Sequence, residues 1–247
     1  MPLLGSAAML LAFDVVPEAI VEHDDWHTHE HVAERLSIPG FLRVTRWVAL
    51  RGAPRYLVMY EVDELATLTS AAYLARLNNP SAWTARMMPH YRGMSRGFCA
   101  VSGSFGLGIG HASVLVRFKP ETSSAASLRR WLAQEALPQL PTRSGVASVH
   151  LLEVAVTPPM TNEQRIRGGD LAFDWALLLT GYGEQAVAAL VRDAVGPSQL
   201  EQRGATGVVS ATYRIDYSLA RGEVDALAPS PSIGVIPKSE GGASEST

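Results

Sequence analysis

The strongest constraint in this 247-residue chain is one pattern written twice. Met9–Val16 is an apolar run of strand length. The spacing in Pro17–Leu36 predicts a helix, with proline in its first turn and Glu18 near its positive end. Pro39-Gly40 breaks the chain, Phe41–Leu50 is a strand, and Arg51-Gly52-Ala53-Pro54 turns it into the next strand, Arg55–Val62. A helix is expected over Asp63–Leu77, with Asp63 or Thr67 available as a cap. Asn78-Asn79-Pro80 ends or kinks it, Ser81–Met88 restarts it, and Arg96–Ser104 is a fourth strand.

After a glycine-rich joint, Gly103–Gly110, the order repeats. Ala112–Phe118 is a strand, Ser124–Leu137 a helix and Ala147–Val156 a strand. A loop of prolines and glycines leads to the strand Leu171–Thr180, the helix Glu184–Val195 and the strand Val208–Tyr217. Each copy therefore runs β-α-β-β-α-β, the split βαβ or ferredoxin-like unit. The fold class is α+β, with units at 8–105 and 111–220. Each unit leaves one apolar sheet face uncovered by its helices, and two in tandem can cover each other, sheet against sheet. Residues 222–247, rich in Ser, Pro, Gly and Ala, read as a disordered tail.

Composition narrows the function classes. A net charge of -3 supplies no basic field for nucleic acid or for a membrane surface. The N-terminal apolar run lacks the basic residues of a signal peptide and continues as a strand would. No apolar stretch reaches the roughly 20 residues of a spanning helix, so the cytoplasm is the default location. The single cysteine, Cys99, excludes an intrachain disulfide and a cysteine-based zinc site, and reads as a small buried hydrophobe. Gly106-Leu107-Gly108-Ile109-Gly110 lacks the lysine and the following helix of a phosphate loop and reads as a joint.

Four of the seven histidines fall in His23-Asp24-Asp25-Trp26-His27-Thr28-His29-Glu30-His31, with Glu34 and Arg35 directly after. Histidine titrates near neutral pH and binds metals, so this is the candidate site. At 100° per residue, Val21, Thr28, Val32 and Leu36 form the stripe facing the sheet. His31 and Arg35 sit at its border, while His23, Glu30 and Glu34 turn toward solvent and His29 to the far side. The corresponding helix of the second copy keeps a tryptophan, Trp131, and carries no histidine. The asymmetry places one working pocket in the first half and leaves the second half mainly structural.

Trp26, Glu30-His31, Glu34-Arg35, Ile38-Pro39-Gly40-Phe41, the strand Arg55–Val62 and Tyr73–Asn78 together give a resemblance to the dimeric α/β-barrel superfamily, in particular to EthD-like and tandem-repeat members. The resemblance implies that the two units form an intrachain dimeric α/β barrel, and that His31 faces a pocket between helix and sheet.

Three readings of the segment remain open. His31 is a general acid/base partnered by Glu30 or Glu34, with Arg35 completing the catalytic set. Alternatively His27 and His31, with His23, hold a divalent metal. In the third, the histidines belong to a solvated face. Trp26, His27, Arg43, Tyr60, Asn78, Trp83 and His90 are the candidate substrate-binding residues. Arg35 and Arg43 can each grip a carboxylate or pair with Glu34 or Glu61. The leading expectation is a small-molecule enzyme of lyase, isomerase or cyclase type, acting without a cofactor on a hydrophobic carboxylated or phenolic substrate. Cofactor-free oxygenation is a close variant. A non-catalytic ligand-binding or stress-response barrel and a metal- or haem-dependent oxygenase are the alternatives. A homodimer is left open.

Overall fold

The computed structural model describes residues 3–156 and 160–227. Among them, strands buried on both faces set the architecture. In β1 (Ala7–Val15), Ala8, Leu10 and Ala12 face one side and Met9, Leu11, Phe13 and Val15 the other, and all are buried. Such a strand needs a cover on each face, which explains an apolar run without polar alternation. The remaining strands are β2 (Phe41–Arg51), β3 (Tyr56–Val62), β4 (Tyr91–Gly106), β5 (Ala112–Pro120), β6 (Val146–Val156), β7 (Leu171–Ala172), β8 (Trp175–Gly181) and β9 (Ala205–Ala220).

The strand order is β1-β3-β2-β9-β5-β8-β6-β4, and β4 pairs back with β1, closing an eight-stranded antiparallel barrel. Two seams join the halves. In one, β2 pairs with β9, placing Trp47 opposite Ile215; in the other, β4 pairs with β6, placing Val101 opposite Leu152. The barrel interior is shared, with Leu10, Trp47, Leu57, Met59 and Cys99 meeting Leu115, Leu152, Leu178 and Tyr213. The expected sheet-on-sheet covering is thus realised as barrel closure within one chain. Burial pushes the Cys99 thiol up to about 12.

The helices lie outside. The first half carries α1 (Ile20–Trp26), a π-helical turn (His27–His31), α2 (Val32–Leu36), α3 (Ala71–Asn78) and α4 (Ala82–Met87). The second carries α5 (Ala125–Trp131), a π-helical turn (Leu132–Ala136), α6 (Asn162–Arg167), α7 (Glu184–Asp193) and α8 (Pro197–Glu201). No helix among the described residues is long and apolar enough to cross a membrane.

Four expectations are corrected. The helix over Asp63–Leu77 is interrupted: Leu65–Thr69 is a 3₁₀ turn, and the helix starts after Ser70, which is extended and whose Oγ accepts from the Tyr73 N–H at 3.2 Å. Serine caps helices better than it continues them. The strand over Leu171–Thr180 is two: β7 lies parallel to β4, Phe173 turns into the barrel, and β8 begins at Trp175. The loop before it holds α6, whose capping box pairs Thr161 with Gln164. The tail begins with a ninth helix, α9 (Arg221–Leu227). Arg221 donates to the Ile38 carbonyl at 3.0 Å, and Val224 packs on the first half's core. The rest of the expected disordered tail, 228–247, lies outside the described residues. At the joint, Gly106 has φ +94° and a Cβ there would stand 2.1 Å from the Ala147 carbonyl oxygen, so glycine is required.

Candidate functional site

The π-helical turn decides which side chains reach the site. Up to its first residue, Ala19, His23, Trp26 and His27 are buried; from its last residue on, His31, Val32, Arg35 and Leu36 are. Each set follows helical spacing, but one extra residue separates them, because an i→i+5 turn takes one residue more than an α turn. The register across the turn is therefore shifted from that of a continuous α-helix. His23, expected toward solvent, is buried, and Val21, expected on the sheet, is 75% exposed. The matching helix of the second half has the same turn immediately after its tryptophan. Aligned on the turns, His27 corresponds to Leu132, Glu30 to Glu135 and His31 to Ala136. The turn belongs to the fold, and the histidines are what the first half adds to it.

His23, His27 and His31 then form a row, with successive ring centroids 5.5 Å apart. His23 is fully committed: Nδ1 is 3.0 Å from Asp24 Oδ1 and Nε2 is 3.2 Å from the Tyr91 hydroxyl. Asp24 also accepts from the Tyr56 hydroxyl at 2.8 Å. His27 and His31 differ. Their Nδ1 atoms are buried and find no hydrogen-bond partner among the described residues. Burial, and then the neighbouring positive groups, hold both imidazoles well below the usual histidine range. Both imidazoles are thereby held in the neutral form. His31 also packs on Trp26, with centroids 4.3 Å apart.

His27 and His31 line a cavity of about 30 Å³, together with Arg35, Tyr60, Tyr73, Tyr91 and a wall of Phe13 and methionines. Burial pushes the phenols of Tyr60 and Tyr91 up, so they are hydrogen-bond donors rather than bases. Arg35 is buried; burial works against its charge, and Glu163 of α6, with which it makes a very short ion pair, outweighs that. Its Nη1 makes no hydrogen bond among the described residues, and Glu34 Oε2 stands 3.6 Å away. Arg96 and Arg167, also on the cavity wall, both pair with Asp170, at 2.9 and 2.6 Å. The arrangement places two neutral imidazoles beside the Arg35–Glu163 ion pair in a buried space lined by tyrosines, methionines and two further arginines.

Of the sequence candidates, the cavity brings together His27, His31, Arg35 and Tyr60, with Trp26 buried behind His31. Glu30 instead accepts from the Ser81 hydroxyl at 2.5 Å, and Glu34 pairs with Arg76 at 3.0 Å. Arg43 pairs with Glu61 at 2.6 Å and does not line the cavity. Asn78 sits at the end of α3 and holds α6: its side-chain oxygen accepts from Asn162 N–H at 3.1 Å, and its carbonyl accepts from Asn162 Nδ2 at 2.7 Å. Trp83 donates to Glu22 at 3.1 Å, and the His90 carbonyl accepts from the Val16 N–H at 3.0 Å. Glu163, Arg96 and Arg167 escaped the sequence reading. The one available signal was the Thr161–Gln164 capping box, which marks a helix inside the supposed loop.

A metal on His27 and His31 lacks its third ligand, since both nitrogens of His23 are engaged. Among the described residues, no group of three or more His, Cys, Asp or Glu side chains converges as a metal site. In its closed form the cavity does not hold a haem either, because about 30 Å³ is roughly a tenth of the smallest pockets that hold drug-sized ligands.

Solved structures share this fold. An anthrone oxidase-like protein superposes with a TM-score of 0.62 at 12% identity, covering 91% of this chain and 97% of its own. A Fusobacterium nucleatum protein assigned as a monooxygenase gives 0.57 at 12% identity, covering 88% and 95%. A chlorite dismutase mutant from Candidatus Nitrospira defluvii gives 0.50 at 13%, covering 88% and 93%. No protein-family model matches the sequence, and neither does any curated protein. The chain has the dimeric α/β-barrel fold, completed within a single polypeptide.

Proposed function

We propose that the chain is a small-molecule oxidase or oxygenase in which His31 is the base and no bound cofactor takes part. The observation that carries this reading is a pair of buried, neutral, unpartnered imidazoles beside Arg35. A base in that position removes a proton from an acidic C–H or phenolic O–H. Arg35 stabilises the anion that forms, and its charge acts strongly because water is excluded. An electron-rich aromatic anion adds O2 at carbon, and the proton held by His31 goes to the outer oxygen, giving a hydroperoxide. The overall change is RH + O2 → ROOH, so the substrate itself supplies the two electrons. Support for oxygen chemistry, over the lyase, isomerase or cyclase first expected, comes from the oxidase- and monooxygenase-type neighbours. The narrower EthD-like likeness, a cytoplasmic location and the pairing of two complete barrels as a homodimer belong to the same proposal. So does the division into a site-bearing unit (8–105) and a framework unit (111–220), with α6 lent by the second to the site.

The test is oxygen uptake by chelator-treated protein with anthrone and a panel of phenolic and carboxylated aromatics. A general base contributes about 10²–10⁴-fold, so His31→Ala lowers uptake by at least about 100-fold while the barrel stays folded. Uptake unchanged in His31→Ala overturns the reading. Turnover that proceeds equally without oxygen returns the site to isomerase or lyase chemistry.

A further inference from the structure

The α6 segment is built inside out. Three of its polar side chains are buried, Thr161 at 1%, Glu163 at 3% and Gln164 at 5% exposure, while its apolar ones face outward, Met160 at 57%, Ile166 at 40% and Leu171 at 61%. A segment that buries polar groups and exposes apolar ones gains little from the hydrophobic effect by docking. Polar contacts hold it down: Glu163 on Arg35, Asp170 on Arg96, Asn162 on Asn78, and a two-residue strand beside β4. Contacts of this kind open locally at lower cost than a packed core.

Beneath it, the cavity of about 30 Å³ has room for only one or two waters. Any substrate must therefore displace part of the wall, and α6 is a part held by polar contacts. Arg35 makes that displacement specific. It is 2% exposed, and a guanidinium so buried needs an anion. In the closed state the anion hydrogen-bonded to it is Glu163, donated by the other half of the chain, while Glu34 stands farther off, 3.6 Å from Nη1.

We propose that Glu163 stands in for the carboxylate of the substrate: an aromatic carboxylic acid enters by lifting α6, and its carboxylate replaces that of Glu163 on Arg35. This rests on the reading of the cavity as the active site and adds to it the substrate's anionic group and its route of entry. Exchanging one carboxylate for another keeps Arg35 paired throughout. A neutral analogue gives no such exchange and has to leave Arg35 on Glu163.

The inference is tested by equilibrium binding, which needs no turnover. 2-Naphthoate and its neutral isostere 2-naphthamide are titrated against the wild-type chain and Glu163→Gln, by calorimetry or tryptophan fluorescence. Glu163→Gln keeps the size of the side chain and removes its charge, so it is expected to bind naphthoate at least tenfold more tightly. Naphthamide affinity is expected to change less than threefold. Glu163→Asp, which keeps the charge but shortens its reach, is expected to fall between; it also serves if Glu163→Gln does not fold. In the wild-type chain, naphthoate is expected to speed amide hydrogen exchange over residues 160–172. The proposal is overturned if the variants bind naphthoate no better than wild type, if naphthamide gains equally, if neither protein binds naphthoate, or if exchange over 160–172 slows. Oxygen uptake that depends on His31 alongside unchanged naphthoate affinity removes this inference alone. Tighter naphthoate binding alongside His31-independent uptake removes only the assigned reaction.

Discussion

Four histidines, His23, His27, His31 and His150, are buried with their imidazoles pushed down, first of all by burial and in His150 to about 3. Their folded-state pKa lies below the unfolded value of 6.5, which fixes the sign of the pH effect. Above pH 6.5 neither state binds the proton and the groups contribute no pH dependence. As pH falls below 6.5 the unfolded chain takes up protons that the folded chain refuses, so stability drops. Each group adds a slope of up to about 1.4 kcal/mol per pH unit. Urea unfolding at pH 8, 6 and 5 is expected to show this decline. His31→Gln is expected to reduce its slope by about 1.4 kcal/mol per unit; equal slopes in the two proteins would contradict the burial of a neutral His31. The same shift places the acid limb of activity below pH 6.5, since the base form persists to that side. Arg35 was legible as an anion-binding group from its place beside Glu30-His31. Its partner was not, because Glu163 lies 128 residues away and no local pattern joins them.

Among elements, strands were more legible than the site helix. Runs such as Leu57–Val62 and Ala112–Phe118 announce themselves because both faces are largely buried and every position but Glu61 and Arg117 is apolar or small. The helix from Ile20 to Leu36 was legible as a helix but misread in register. A projection at 100° per residue assumes one pitch throughout, and nothing in His-Thr-His-Glu-His as a string reports an i→i+5 turn. The repeat of the turn at Leu132–Ala136 shows that the fold dictates it, through packing of both tryptophan-bearing helices on the sheet. α6 was missed for another reason: with its polar face inward it has no apolar stripe to read. Its stability instead depends on its cap. The Gln164 side-chain oxygen accepts from the Thr161 N–H at 3.1 Å, and removing such a cap costs about 0.5–2 kcal/mol. Gln164→Ala is therefore expected to speed amide exchange at residues 162–168 by about tenfold while leaving the global melting temperature within 1–2 °C, roughly the shift a few tenths of a kcal/mol would give. A large fall in global melting temperature would show that α6 is part of the cooperative core rather than a separately opening segment.

For the whole molecule, the two copies are bound by more than their linker. Trp47, fully buried inside the barrel, lies in β2 of the first half opposite Ile215 of the second, and both touch the interior shared with Leu115, Leu178 and Tyr213. Removing either half would strip one wall from that interior and leave the seam edges of β2 and β4 unpaired, a state with exposed apolar surface and open hydrogen-bonding groups. The halves are legible as separate units in sequence because each carries a complete β-α-β-β-α-β order. They are joined energetically because neither can cover its own inner sheet face. Trp47→Ala discriminates between these two senses of a unit. The substitution leaves a cavity and costs about 3–5 kcal/mol. If the barrel is one cooperative structure, that loss is shared: β5 and β8 lose exchange protection together with β1 and β3, and unfolding stays a single transition with its midpoint lowered. If the first half unfolds independently, protection falls in β1 and β3 alone and a second transition appears at the wild-type midpoint. The shared interior predicts the first outcome.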